Sequence, residues 1–327
     1  MKKILTALLC ALVSFGFVLG ACGKDKDGVS VYMPDGAPAL AAAMLMNEDG
    51  FFDREVEYNV VNSSLIHTFV TGERPKADIC ILPVNLASKL LGDGSGYKLL
   101  GTVTHGNLFL LSEGGEEVTA ENISSLKGKT LGIINLAAVP GLTFKIVLKD
   151  NNLEYKELGN DGKAESDKVN LKAVTADALS GCDYYVVPEP AASTKVKVTP
   201  LSFAGNLQTL YGWNGYPQAV LVAKTTLIEN DKDFINKFMT AMGENAEWLL
   251  NDETQASDIV DAIQRHLTAG MSPKFTAANL GKDVMRNCAI DFVKSSDCKA
   301  EVNAFIEKLI SIDPSAASKV ADGFYYV

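Results

Sequence analysis

With 327 residues, 47% of them hydrophobic and 21% charged, the chain holds enough apolar residues for one large core or two medium ones. Disordered, collagen-like and low-complexity classes are thereby excluded. Its 30 basic against 40 acidic residues leave a formal charge of −10, which offers no basic face to nucleic-acid phosphates, so no nucleic-acid partner is expected. His67, His105 and His266 are scattered and stand near no cysteine pair, so a zinc site at the usual ligand spacings is not expected.

The chain opens with Lys2 and Lys3, an apolar run from Ile4 to Val18, and then Leu19-Gly20-Ala21-Cys22. This order resembles a bacterial lipoprotein signal with its lipobox. The resemblance implies cleavage before Cys22 and lipid on its thiol. Residues 1–21 then form the signal peptide and 22–27 a polar tether, leaving a domain anchored to the membrane on its outer face. A plain secretory signal, or one retained membrane helix, is the alternative reading, since a helix rising roughly 1.5 Å per residue needs about 20 residues to span. Nowhere else is the sequence apolar for long enough to cross a bilayer. Among the other cysteines, Cys80 and Cys182 sit in or beside strand-like runs and read as buried thiols. Cys288 and Cys298 lie ten apart, and both a disulfide and a reduced pair are open.

From residue 29 onward strands alternate with helices. Val29 to Tyr32 reads as a strand, Met33 to Pro38 as a turn with Pro38 opening a helix, and Ala39 to Asn47 as its continuation. Val56 to Val61 is a second strand and Leu65 to Thr71 helical. Ala77 to Leu82 is a third strand, ended by Pro83-Val84-Asn85 before a helix from Leu86 to Leu91. The pattern restarts with a short helix at Ile123 to Lys127, a strand at Lys129 to Ile134, a loop to Gly141 and a helix from Leu142 to Asn151. Leu171 to Val174, Ala176 to Leu179 and Tyr184 to Val187 complete a second α/β set, closed by Pro188-Glu189-Pro190. Asp233 to Asn251 and Ala300 to Ile310 carry apolar residues three and four apart and read as helices packed on the first lobe. Such alternation implies α/β architecture with parallel sheets.

Several motifs, in order, resemble the extracytoplasmic solute-binding proteins of ABC importers. They are Tyr32-Met33-Pro34-Asp35-Gly36-Ala37-Pro38-Ala39-Leu40, then Ala77 to Asn85, Leu126 to Gly132, Val187 to Ala191 and Tyr216 to Val222. The similar group handles nitrate, taurine, aliphatic sulfonates and thiamine-pyrimidine precursors. The resemblance implies a two-lobed clamp of the type II periplasmic-binding-protein kind, each lobe a mainly parallel sheet flanked by helices, with two crossover strands. Lobe one would comprise 28–104 plus 216–327, and lobe two 105–215. Gly101, Gly106, Gly212 and Gly215 would absorb the hinge motion. The implied function is capture of a small solute and its delivery to a membrane permease driven by an ATPase. A biosynthetic enzyme on the same clamp is the competing class.

Ligands of open α/β sheets bind beyond the carboxyl ends of the strands. The residues expected to contact the ligand are therefore Met33, Asp35, Gly36, Ser63, Ser64, Pro83, Asn85, Asn135, Gly141 and Glu189, with Trp213 and Tyr216 at the hinge. Gly36 and Gly141 precede helix starts, where free N–H groups can face a ligand, or simply serve turns. Asp35 either caps its helix or contacts ligand. Glu189 stands between two prolines, which exclude both helix and ladder. Asp35 and Glu189 would repel an anion in a desolvated cleft, and the aromatic residues would offer flat faces. A neutral or cationic heteroaromatic ligand of aminopyrimidine type is thus expected, with sulfonate- or nitrate-like anions as the alternative. Gly128-Lys129-Thr130 is no P-loop, because Ile123 replaces the required glycine and a strand follows. Neither a catalytic motif nor a cofactor signature stands out.

Overall fold

The computed structural model describes residues 28–47, 52–159, 162–212 and 214–327. Residues 1–27, with the leader and Cys22, and Trp213 lie outside the described residues. In chain order the strands are β1 (Val29–Pro34), β2 (Val56–Val61), β3 (Ile79–Pro83), β4 (Tyr97–Thr104), β5 (Leu108–Ser112) and β6 (Thr130–Ile134). They continue with β7 (Tyr155–Glu157), β8 (Val169–Val174), β9 (Tyr184–Pro188), β10 (Ser202–Asn206), β11 (Ala219–Lys224) and β12 (Ile290–Lys294).

These strands make two six-stranded sheets, ordered β12-β4-β11-β3-β1-β2 and β10-β5-β9-β6-β8-β7. In the first, β2, β1 and β3 run parallel, while β11 is antiparallel to both β3 and β4. In the second, β9, β6, β8 and β7 run parallel, and β5 and β10 close one edge antiparallel. The continuous apolar runs of β3 and β9 follow from this, since a strand covered on both faces needs no polar alternation. The architecture is the expected α/β one, two sheets flanked by helices.

Ile79, Ile81 and Leu221 face a core closed by the helices Lys232–Leu250 and Ala256–Arg265. On the opposite face, Cys80, Leu82 and Val220 join a cluster that runs on through Phe305 to Phe144 of the helix Val139–Asp150 and Leu131 of the second sheet. The helix Ser295–Ile312 carries that continuity. It packs on β4 and also on the helix Val139–Asp150, where Lys308 reaches Asp150 at 2.7 Å. Both C-terminal helices pack on the first lobe as expected, and this one reaches the second as well.

Local chemistry moved other boundaries. The helix expected over Ala39 to Asn47 is broken at Ala41–Ala42 into Ala37–Leu40 and Ala43–Asn47. The second half is fixed from outside, with Asn245 Oδ1 accepting from Met44 N at 2.9 Å. Ala176 to Leu179 forms a turn and irregular backbone, not an element. Cys288 and Cys298 are both free and buried. They belong to cores on opposite faces of the first sheet, with β12 between them in sequence, so a disulfide is excluded by topology.

The chain crosses between the sheets twice, at 105–107 and at 207–218. The two crossings are stitched together: Tyr216 N donates to His105 O at 3.2 Å and Gln218 N to Thr104 O at 3.0 Å. Gly215 has φ +70°, and a Cβ there would lie 2.0 Å from His105 O. Gly106 has φ +106°, and a Cβ there would lie 2.6 Å from the Tyr216 ring. Both glycines are required by close approach as well as by backbone conformation.

Candidate functional site

The parallel strands of the first sheet end at Pro34, Val61 and Pro83, and those of the second at Ile134, Glu157, Val174 and Pro188. The loops beyond these ends carry most of the residues selected from sequence. Asp35, Asn62, Ser63, Gly270, Met271, Ser272 and Lys274 line a pocket of about 310 Å³ at the ends of β1 and β2.

Asp35 is not the cap residue of the following helix. Gly36 holds the cap position and has no side chain to accept from the first turn. Instead Asp35 Oδ1 accepts from Gly36 N and Oδ2 from Lys274 N, both at 2.8 Å. Lys274 Nζ adds a bond to Asp35 O at 3.2 Å. The carboxylate thus anchors the 268–274 loop, which is also stitched to the edge strand by Thr268 N donating to Val60 O. Asn62 caps the 3-10 turn Ser63–Phe69, accepting from Ser64 N at 3.0 Å and Ser64 Oγ at 2.9 Å. That commits Ser64 and leaves the exposed Ser63 facing the pocket.

Other expected positions are placed differently. Met33 and Tyr216 are both fully buried, 0% exposed, so neither side chain offers a face to a cleft. Met33 sits in the core behind the first sheet, where its strand alternation directs it. Tyr216 packs against Tyr211 and Phe305, with ring centroids 5.5 and 5.7 Å away. Burial of its hydroxyl pushes its pKa up, only partly offset by the nearby Asn107 backbone. Pro83 is the half-buried residue before the helix Val84–Leu91. Asn85 turns toward the C-terminal segment, its Nδ2 donating to Ala316 O at 3.2 Å, while Oδ1 is buried without a partner.

Asn135 is exposed, with φ +59°. Gly141 lies inside the helix Val139–Asp150, not before it, because Pro140 starts the helix early. A Cβ at Gly141 would sit 1.9 Å from Leu136 O, so glycine there lets the 135–138 turn fold over the first helical turn.

Glu189 is 4% exposed and its charge is met inside the chain. Its carboxylate accepts from Ser193 N at 3.1 Å, Ser193 Oγ at 2.7 Å and Asn287 Nδ2 at 2.7 Å. A buried carboxylate needs such donors. Asn287 ends the helix Lys282–Asn287, just before β12 of the first sheet, so this bond joins the two sheets. Burial, with the Glu189 charge adding to it, holds the neighbouring Cys288 thiol protonated.

Sequence reasoning missed Lys274, Ser272 and Asn287. They lie in irregular segments far along the chain, where no periodicity marks which strand end a loop will meet. Gly270 and Pro273 flag a loop there but not its destination.

No family model and no curated protein matches the sequence. Solved structures do match in fold. An ABC transporter protein of Parabacteroides distasonis is 19% identical, with 91% of this chain and 98% of that one covered and a TM-score of 0.69. The periplasmic aliphatic sulphonate binding protein SsuA of Escherichia coli is 12% identical, with 92% of each chain covered and a TM-score of 0.60. The alkanesulfonate-binding protein SsuA of Xanthomonas axonopodis pv. citri, bound to MOPS, is 13% identical, with 90% and 95% covered and a TM-score of 0.55. At these identities the likeness is one of fold: this chain has the two-lobed fold of periplasmic binding proteins.

Proposed function

We propose that this protein is the substrate-binding subunit of an ABC importer, lipid-anchored through Cys22 outside the cell, that holds a small organic solute between its lobes for a permease and ATPase. The observation that carries the reading is the pairing of two mixed sheets, each with a parallel block of strands, through two crossings, with polar loops gathered at the strand ends. The named functions of the matching structures support it.

The ligand's charge is argued from the donors left over. Asp35 and Glu189 are engaged by N–H and O–H donors within the chain, so they no longer demand a cationic partner. Lys274, Ser63 and Ser272 remain as donors around the 310 Å³ pocket. A small organic anion, such as an alkyl sulfonate or taurine, suits that set better than an aminopyrimidine.

A thermal-shift screen of the purified chain tests this. Ligand at ~100 times its dissociation constant adds about 2.7 kcal/mol of stability. Protection by an alkyl sulfonate that is lost in Lys274→Ala supports the anion reading. Protection by an aminopyrimidine alone overturns it. Mass spectrometry of the recovered ligand, unchanged after incubation, separates binding from catalysis.

A further inference from the structure

A second, larger pocket of about 510 Å³ lies along the β10 edge of the second sheet, and Asn287 in its lining bonds Glu189 in the loop after β9. Phe109 and Phe203 form its aromatic wall, edge to face with centroids 5.2 Å apart. Phe109 is 6% exposed, but Phe203 on the edge strand is 43% exposed, which leaves its ring open to the pocket. Glu117 and Glu121 lie opposite on the loop after β5. Among the described residues neither carboxylate has a cationic partner within salt-bridge distance.

The remaining wall comes from the other sheet's side. Asn287 lines this pocket, and its Nδ2 is committed to Glu189, which leaves Oδ1 as an acceptor. The polar side chains nearby turn their donors inward. Asn206 Nδ2 donates to Gln208 Oε1 at 3.2 Å, and Thr209 Oγ1 donates to Asn206 O at 3.1 Å. What faces the cavity is therefore a set of acceptors, two of them charged, beside two aromatic rings.

We propose that this pocket is a second binding site, for a small planar cation carrying N–H donors. An amidinium or aminated heteroaromatic ring would stack on Phe203 and donate to Glu117, Glu121 and Asn287 Oδ1. The volume lies within the range of small-molecule sites. Asn287 touches both this pocket and Glu189, so an occupant bonded to it would also bias the contact between the lobes. The site stands independently of the ligand proposed for the strand-end pocket.

Titration calorimetry with benzamidine as the cation and benzoate as its anionic counterpart tests the proposal. Benzamidine should bind saturably and benzoate should not. The Glu117→Gln/Glu121→Gln double variant should weaken benzamidine about tenfold or more, the scale of losing a charged acceptor. Phe203→Ala should weaken it roughly two- to fivefold. All three positions are exposed, and a thermal melt of each variant confirms folding. Equal binding of benzoate, or an unchanged affinity in folded variants, overturns the proposal. The sulfonate screen on the same protein reads the strand-end pocket separately.

Discussion

Asn287 Nδ2 donates to Glu189 Oε1 across 2.7 Å, joining the end of a first-sheet helix to the turn after β9 of the second sheet. A buried carboxylate with a donor from the opposite lobe makes the relative position of the lobes sensitive to one side chain. Hydrogen bonds to charged groups contribute roughly 1.5–3 kcal/mol, enough to bias an open–closed equilibrium.

Asn287→Ala should therefore shift the protein toward a more open form. Asn287→Asp should do so more strongly, because it sets a second carboxylate against Glu189. Small-angle scattering is the measurement, with the radius of gyration rising in the order wild type, Asn287→Ala, Asn287→Asp. An unchanged radius in both variants would remove this bond from lobe positioning.

The crossings make a second prediction. Alanine at Gly215 or Gly106 meets both left-handed strain and close contact with His105 O or the Tyr216 ring. Each should cost at least about 2 kcal/mol and lower the melting temperature by several degrees. Gly243 is exposed within the helix Lys232–Leu250, and a Cβ there meets nothing within 4 Å. Gly243→Ala should stabilise by about 0.5–1 kcal/mol. Denaturant unfolding of the three variants checks both signs.

His105 supplies a pH dependence. Burial lowers its pKa below 6.5, only partly offset by the charges of Asp291 and Glu301 and the bond to Asp291 O. The unfolded chain thus binds the proton at a higher pH than the folded chain does. Between the lowered folded value and 6.5 the unfolded state holds more protons, so stability falls as pH drops through that window and is fully present above it. One proton sets a ceiling of about 1.4 kcal/mol per pH unit, and the partial exposure of this ring keeps the slope beneath it. His105→Gln should flatten the slope below pH 6.5, and an identical slope would dismiss this assignment.

The thiols give the last prediction. Because Cys288 and Cys298 sit in cores on opposite faces of the first sheet, a reducing agent should leave the melting temperature unchanged. A structural disulfide would instead cost about 2–5 kcal/mol on reduction. Cys288→Ala and Cys298→Ala should act additively within about 0.5 kcal/mol, as expected of sites without shared partners.

Much of this architecture is local in origin. The apolar runs at Ile79 to Leu82 and Tyr184 to Val187, each stopped by proline, determine strands buried on both faces without any tertiary information. Asp231 caps the helix Lys232–Leu250 by accepting from Phe234 N, and apolar spacing sustains it over five turns, so its existence is written in its own residues. Strand-end loops were also legible as the place to look for a site, and Ser63 and Asp35 do line a pocket. What Asp35 and Glu189 do there was decided elsewhere. Beside its local donors, each carboxylate takes one from a residue distant in sequence, Lys274 for Asp35 and Asn287 for Glu189. Tyr216 carries the same lesson, since an aromatic ring beside two glycines reads as exposed until Tyr211 and Phe305 close over it. Secondary structure follows from propensity and periodicity over a few neighbouring residues. Whether a charge or a ring is available to a ligand depends on which remote segment reaches it first, and only the packed chain brings those segments together.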